Sequence, residues 1–215
     1  MPSILQIQSL SKTYHRKPVL TNVIFTLDSK SQTGLIGDNG SGKTTLFKII
    51  SGIIRPQTGT GKLLDFPLFT SDFKYRKHLI FWSHDPMLYP ALSGLENLKL
   101  FLSLRNQTYN FDTIIELSKK NGISDHIYRP VREYSVGQIQ RLKLLQLSIS
   151  NWQIALLDEP TAGMDLNSVK LLESKLSEWK SEGRAVFMTS HQKEWLSEWT
   201  DKILMIQNNQ LLSKE

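Results

Sequence analysis

A glycine-rich run separates a short apolar segment from a helical segment in the first quarter of the chain. It reads Gly37, Asp38, Asn39, Gly40, Ser41, Gly42, Lys43, Thr44. Residues 33–36 are predicted to form a strand, and a helix is predicted from about residue 43 to residue 51. A strand that passes through glycines into a helix start turns several backbone N–H groups toward one point, where they can bind phosphate. The run therefore predicts an α/β fold with a phosphate-binding loop.

Side chains at the end of this run have the chemistry that a nucleotide phosphate requires. Lys43 supplies a positive charge, the hydroxyl of Thr44 can ligate Mg²⁺, and Thr45 follows in the first helical turn. An ordinary glycine turn is the alternative, but an accidental match in a chain of this length is expected at a frequency on the order of one per cent. We therefore expect all eight residues and Thr45 to bind a nucleotide, with Mg²⁺ as its metal.

Predicted strands and helices alternate along the chain, which indicates helices on both faces of a mainly parallel sheet. The predicted strands are residues 4–8, 19–27, 33–36, 154–157 and 185–189, with a closing hairpin over residues 202–212. The predicted helices are residues 43–51, 98–104 and 111–121, with a further helix that has Val169, Leu172, Leu176 and Trp179 on one face. Ser93 and Glu96 are predicted to form a capping box ahead of residues 98–104. Residues 85–150 are mostly helical in this prediction and interrupt the alternation.

Composition excludes some classes of protein and of metal site without indicating a function. The 215 residues suffice for one domain with a sizeable core, and 40% hydrophobic and 21% charged residues are near globular averages. The net charge of +6 comes from scattered basic residues, so we expect no nucleic-acid partner. The chain has no cysteine, which excludes disulfides and thiolate metal sites. We recognise no signal peptide and no apolar run of about 20 residues that could cross a bilayer.

Two adjacent acids, Asp158 and Glu159, directly follow the apolar strand predicted at residues 154–157. Strand ends meet at the ligand crevice of a doubly wound sheet, so Asp158 can hold the Mg²⁺ shell while Glu159 polarises an attacking water. A solvated turn or a helix cap is the alternative for two such acids. Together with the glycine-rich run, the pair is typical of many nucleoside triphosphatases, including nucleotide kinases.

The segment between these two motifs resembles one family. Tyr134, Ser135, Val136, Gly137 and Gln138, followed by Arg141, are similar to the signature sequence of ABC ATPases. Further matches lie in the expected order, namely aromatic Tyr14, the stretch 162–165 with Asp165, and His191 after a strand. Individually, each has a simpler explanation: Tyr14 as a surface aromatic, His191 as a structural histidine and Ser135 as a helix cap.

The resemblance implies a P-loop NTPase with a RecA-like core, an N-terminal antiparallel β subdomain and an inserted α-helical subdomain. The whole chain, 1–215, would be one ABC ATPase domain. Residues 1–84 and 151–215 would form the nucleotide-binding core with the β subdomain, and residues 85–150 the helical subdomain with the signature.

The resemblance also assigns roles to individual residues. It implies that ATP and Mg²⁺ bind between two ATPase subunits arranged head to tail. Lys43, Glu159 and His191 would act in hydrolysis, and Tyr14 would stack on the adenine. Ser135, Gly137, Gln138 and Asp165 would contact the nucleotide held by the other subunit.

Two residues depart from the family pattern. Val136 stands where the signature usually has glycine, and β-branched valine has narrower backbone freedom, so closure of the pair is expected to be slower. His84 stands where most members have a glutamine that senses Mg²⁺ and the membrane partner, and a solvent-facing histidine is the alternative. Together with His191–Gln192 and the short length, these residues resemble the ATPase of the haem exporter in cytochrome c maturation. Residues 160–165 fit the general pattern better, which leaves another small export system possible.

The resemblance implies a separate transmembrane permease and either an identical or a different second ATPase. It places the chain peripherally on the cytoplasmic or matrix face of an inner membrane. A soluble scaffold ATPase, as in iron–sulfur cluster assembly, is the alternative from a different functional class.

Overall fold

A computed structural model describes residues 2–83 and 85–214. The described residues form two compact units. The first unit takes in residues 2–83, 152–160 and 178–214, and the second takes in residues 85–151 and 161–177. The division of the chain into a core and an inserted subdomain at residues 85 and 150 stays a prediction.

The first unit contains an antiparallel sheet of four strands in the order β2-β1-β4-β5. These strands are β1 (Ser3–Tyr14), β2 (Lys17–Asp28), β4 (Thr58–Leu63) and β5 (Phe66–Pro67). Alternate residues of β2, namely Val23, Phe25 and Leu27, are buried, as expected for a sheet with one face on the core. The predicted N-terminal antiparallel sheet is therefore confirmed.

A six-stranded sheet completes the β structure of the first unit, in the order β10-β9-β3-β8-β7-β6. Its strands are β3 (Gln32–Gly37), β6 (Leu79–Trp82), β7 (Ile154–Leu157), β8 (Ala185–Thr189), β9 (Lys202–Gln207) and β10 (Gln210–Lys214). All neighbours pair in parallel except β10, which forms an antiparallel hairpin with β9. Every residue of β7 and β8 is buried, because parallel strands of this kind are covered on both faces.

Two helices belong entirely to the first unit, α1 (Lys43–Ile50) and α6 (Lys193–Glu198). The ring of Phe47 on α1 lies 4.9 Å from that of Phe187 on β8, in an edge contact, and Phe25 of β2 lies 5.6 Å from Phe187. One apolar core therefore joins both sheets to α1 and fixes the position of the glycine-rich loop that precedes this helix.

The second unit is helical, with α2 (Gly94–Leu104), α3 (Phe111–Lys120), α4 (Val136–Ile149) and residues 166–177 of α5 (Leu166–Ser181). Ser93 and Glu96 form the predicted capping box of α2. Ser135 and Gln138 form a second capping box at the start of α4. Leu98, Leu142 and other buried apolar residues of these helices form a separate core within the unit. Across residues 2–83 and 85–214, no helix combines the length and apolar character needed to span a bilayer.

Candidate active site

The glycine-rich loop links the end of β3 to the start of α1, as predicted. Gly42 is the N-cap residue of α1, and its φ of 108° lies in the left-handed region that favours glycine. A β-carbon on Gly42 would also lie 3.0 Å from Cγ1 of Val19 and 3.2 Å from its carbonyl oxygen. Glycine therefore lets the chain turn abruptly here. The first N–H groups of α1 have no partner within the helix, so they can bind an anion.

The ammonium group of Lys43 lies over the loop that precedes it. Nζ donates hydrogen bonds to the carbonyl oxygens of Gly37 at 2.7 Å and Asp38 at 3.1 Å. These contacts hold the cation at the mouth of the loop. Exchange of a carbonyl contact for an anionic phosphate oxygen would be favourable, because the ammonium would then face a full negative charge instead of a carbonyl dipole.

Asp158 follows β7 and is only 3% exposed. Its Oδ2 accepts a hydrogen bond from Oγ1 of Thr44 at 2.7 Å, and its Oδ1 accepts one from Oγ1 of Thr189 at 2.9 Å. The Thr189 hydroxyl in turn accepts the backbone N–H of Glu159 at 2.9 Å. The network connects the ends of β7 and β8 to the first turn of α1, and it fixes the Asp158 carboxylate and the backbone of Glu159.

The Thr44 hydroxyl and the Asp158 carboxylate suit Mg²⁺, which binds few protein oxygens and keeps water and phosphate ligands. Within residues 2–83 and 85–214, no cluster of three or more His, Cys, Asp or Glu side chains could hold a metal without such additional ligands. The third predicted metal residue, His84, lies outside the described residues.

Glu159 has a strained backbone and a carboxylate directed toward His191. Its φ of 52° is uncommon for a residue with a side chain, and such outliers cluster at functional sites. Oε2 accepts the backbone N–H of His191 at 2.9 Å, and Oε1 lies 3.4 Å from the His191 Nε2 atom. Oε1 is buried and makes no hydrogen bond within the described residues. A water molecule could donate to Oε1 once the neighbouring His191 ring had moved aside.

These side chains line one cavity of about 210 Å³. Its lining residues are Asn39, Gly40, Gly42, Lys43, Thr44, Thr45, Asp158, Glu159 and His191. Gly37, Asp38 and Ser41 belong to the same loop but do not line the cavity. The carboxyl ends of β3, β7 and β8 thus bring the predicted catalytic residues together, as expected at the ligand edge of a parallel sheet.

Tyr14 ends β1 and is 42% exposed. The ammonium of Lys12 lies 5.1 Å from the centre of its ring, within the range of a cation–π contact, and also donates to the carbonyl of Arg55 at 2.7 Å. The geometry permits a base to stack on Tyr14, and this role stays a prediction.

The signature residues belong to the second unit, at the start of α4. The Ser135 hydroxyl accepts the backbone N–H of Gln138 at 3.2 Å, so Ser135 is a helix cap, and its own O–H remains able to donate to an anion. No atom lies within 4 Å of a β-carbon built on Gly137, which indicates open space at this position. The preceding Tyr134 donates to the carbonyl of His126 at 2.6 Å, and burial raises the pKa of Tyr134 to about 12.

Asp165 makes contacts within the second unit. Its Oδ1 accepts the N–H of Ser168 at 2.7 Å, and its Oδ2 lies 3.1 Å from Nη2 of Arg141. The Ser168 N–H chiefly, and the Arg141 guanidinium in addition, hold the pKa of Asp165 below its ordinary value. Asp165 therefore caps α5 and pairs with α4, and its predicted contact with a nucleotide stays a prediction.

The sequence did not point to Thr189 or Gln140. Thr189 connects the Asp158 carboxylate to the backbone N–H of Glu159, and the Gln140 side chain donates to the carbonyl of Ala162 at 2.8 Å. These three hydrogen bonds join residues that lie 22 to 31 positions apart in the chain. For Thr189, the one sequence feature that could have indicated a role is its location two residues before His191.

Residues 20–162 match the protein family described as ABC transporter. This match covers well over half of the chain. The chain belongs to the ABC transporter family.

Curated relatives of this ABC transporter ATPase extend over most of its length. The lantibiotic transport ATP-binding protein SrtF of Streptococcus pyogenes is 31% identical over 87% of this chain and 80% of its own length. The SkfA peptide export ATP-binding protein SkfE of Bacillus subtilis (strain 168) is 26% identical over 97% of this chain and 87% of its own.

A solved structure shows the same fold. The ATP-binding cassette MJ0796, determined as a dimer bound to ADP and Pi, superposes with a TM-score of 0.89 at 21% identity, covering 98% of each chain. The predicted P-loop NTPase fold is thus confirmed. This ABC transporter chain is an ATP-binding subunit that hydrolyses ATP. Haem-exporter specificity is not shown by these relatives.

Proposed function

We propose that this subunit drives a separate membrane permease, with two ATPase subunits closing head to tail around ATP and reopening after hydrolysis. The observation that supports it best is the convergence of the loop, Asp158, Glu159 and His191 on one cavity. Ser135 of each subunit would close over the γ-phosphate that the other subunit binds. The open space at Gly137 is compatible with such an approach.

Positioning and charge neutralisation account for most of the proposed catalysis. Lys43 offsets phosphate charge, and the N–H groups at the start of α1 bind phosphate oxygens. The Glu159 carboxylate would orient the attacking water when the His191 side chain, which is 65% exposed, swings toward the γ-phosphate. Mg²⁺ held by Thr44 and Asp158 would neutralise charge on the β- and γ-phosphates.

Adenine stacking on Tyr14 predicts a difference between two substitutions. Tyr14→Ala should weaken ATP binding by about 1–3 kcal/mol, or roughly 5- to 150-fold in Kd. Tyr14→Phe keeps the ring face and should bind ATP within about twofold of the unsubstituted chain. Isothermal titration with a non-hydrolysable ATP analogue measures both. Equal Kd values for the Ala and Phe variants would exclude the stacking role.

Export is the proposed direction of transport. The names of SrtF and SkfE, a lantibiotic transporter and a peptide exporter, support a peptide cargo. Haem export rests on Val136, His84, the His191–Gln192 pair and the short length, and it is a hypothesis.

Co-expression with the membrane protein encoded beside the gene tests the proposed partner and direction. We expect the chain to pellet with membranes only when that protein is present, whereas a soluble scaffold would stay in the supernatant in both cases. In inside-out vesicles that contain both proteins, ATP added outside should drive a labelled peptide into the lumen. ATP-driven uptake of haem instead would favour the haem exporter, and ATP-driven loss of preloaded peptide would contradict export.

A further inference from the structure

The loop that follows Glu159 is held at three successive points by one face of α4, all within the second unit. Val136 contacts Gly163, the Gln140 side chain donates to the carbonyl of Ala162 at 2.8 Å, and Arg141 pairs with Asp165 at 3.1 Å. Two of these contacts are polar, while the contact of Val136 is steric. We propose that Val136 is a positioning residue that fixes this loop, and through it Glu159, for hydrolysis.

The steric contact depends on the absence of a side chain at position 163. Gly163 has a φ of 73°, and a β-carbon built on it would lie 2.5 Å from Cγ1 of Val136. Val136 cannot easily turn away, because a β-branched residue at a helix start has few χ1 rotamers. The Cβ atom of Val136 would be 3.8 Å from the same position, an ordinary contact distance. The conflict therefore comes from one methyl group.

This contact gives Val136 a role that packing alone does not explain. The side chain is 60% exposed, so burial of Val136 contributes little to the core. Its methyl group instead limits the conformations of residues 161–165, which are linked to Glu159 by Pro160 alone. A looser loop should let the Glu159 backbone leave its strained φ of 52° more often. This inference rests on the proposed role of Glu159 in turnover.

The geometry predicts that Val136→Ala restores much of the activity that Gly163→Ala removes. Gly163→Ala should lower kcat about tenfold, while the KM for ATP changes less than about twofold, since residues 161–165 do not line the ATP cavity of their own subunit. Val136→Ala removes Cγ1, so Val136→Ala combined with Gly163→Ala should recover to within about threefold of Val136→Ala alone. Val136→Ile retains the β-branch and should keep normal kcat, whereas Val136→Gly should lower it about three- to fivefold.

Gly183→Ala is the matched control for backbone strain. Gly183 has a φ of 82°, in the turn between α5 and β8, and its β-carbon would meet only the flexible Lys30 side chain, at 3.2 Å. We expect Gly183→Ala to lose as much thermal stability from φ strain as Gly163→Ala does, while its kcat stays unchanged. Adding Val136→Ala should not alter the effect of Gly183→Ala on stability. Melting temperatures of all variants show whether each one folds.

Deuterium exchange of the backbone amides of residues 161–166 provides a measurement that does not require turnover. Gly163→Ala and Val136→Gly should speed exchange there several-fold, and Val136→Ala should reduce the effect of Gly163→Ala. If Gly163→Ala changes kcat and the exchange rate equally in the presence and in the absence of Val136→Ala, the proposal is wrong even when Glu159 is essential. If the exchange data show rescue while Glu159→Gln turns over normally, the contact is real and the proposed catalytic role of Glu159 fails instead.

Discussion

Glu159→Gln is expected to lower the rate of ATP hydrolysis by at least about 100-fold while ATP binding stays nearly unchanged. The amide is almost isosteric with the carboxylate, so the contact with the His191 N–H can persist through the amide oxygen. An uncharged amide is a much weaker acceptor for the proton of an attacking water. Binding depends on the glycine-rich loop and Lys43, which the substitution leaves intact.

A phosphate-release assay and a titration with ATP separate the two effects of this substitution. Glu198→Gln makes the same chemical change at an exposed position of α6 and should hydrolyse ATP at the normal rate. Wild-type turnover in Glu159→Gln would contradict the assignment of Glu159. Loss of ATP binding would show that Glu159 holds the nucleotide rather than the water.

Lys43→Ala is expected to raise the Kd for ATP roughly 100-fold, since hydrogen bonds to charged groups contribute about 1.5–3 kcal/mol. The substitution also releases the carbonyls of Gly37 and Asp38, which Nζ now contacts at 2.7 and 3.1 Å. The loop would lose an internal support as well as its positive charge. Both effects act on binding, in contrast to those of Glu159→Gln.

Titration with ATP at fixed Mg²⁺ measures the loss in Lys43→Ala. Lys62→Ala removes an exposed lysine of β4 that pairs with exposed Asp65, and it should leave the Kd unchanged. Lys43→Arg keeps the charge with a larger, planar head group and should recover only part of the affinity. A normal Kd in Lys43→Ala would mean that the ammonium does not contact bound phosphate.

Local sequence patterns predicted the parts of the structure that depend on neighbouring residues. The glycine-rich loop, the capping box of Ser93 and Glu96, and the buried strands β7 and β8 follow from short runs of residue types. Helix α4 begins at Val136, directly after the serine that caps it. In each case a few adjacent residues determine both the conformation and the chemistry.

Other elements could not be predicted because their signals are weak or interrupted. The first strand was predicted for residues 4–8 but extends over Ser3–Tyr14, and shifts of register against β2 break the alternation of buried side chains. Strand β4 has two glycines and buries only Leu63, while β6 has four residues and α6 has six. Tertiary pairing with neighbouring strands stabilises such short segments more than their own propensity does.

The site residues likewise divide into those that a local motif predicts and those that depend on contacts between distant parts of the chain. Lys43, Thr44, Asp158 and Glu159 stand in motifs whose spacing implies their roles. Thr189 and Gln140 act through single hydrogen bonds to distant parts of the chain, and one sequence contains no record of that proximity. The contact of Val136 with Gly163 likewise depends on a left-handed φ that the residue type alone does not reveal.

The central claim is that ATP is enclosed between two copies of this subunit or between it and a second ATPase. Light scattering after gel filtration measures it most directly, with Glu159→Gln at saturating ATP and Mg²⁺. We expect the molar mass to rise from one chain of 24.7 kDa to about twice that value, and to fall back when Ser135→Ala is added. A mass that stays at a single chain at every ATP concentration, with ATP demonstrably bound, would contradict closure of two identical subunits around the nucleotide.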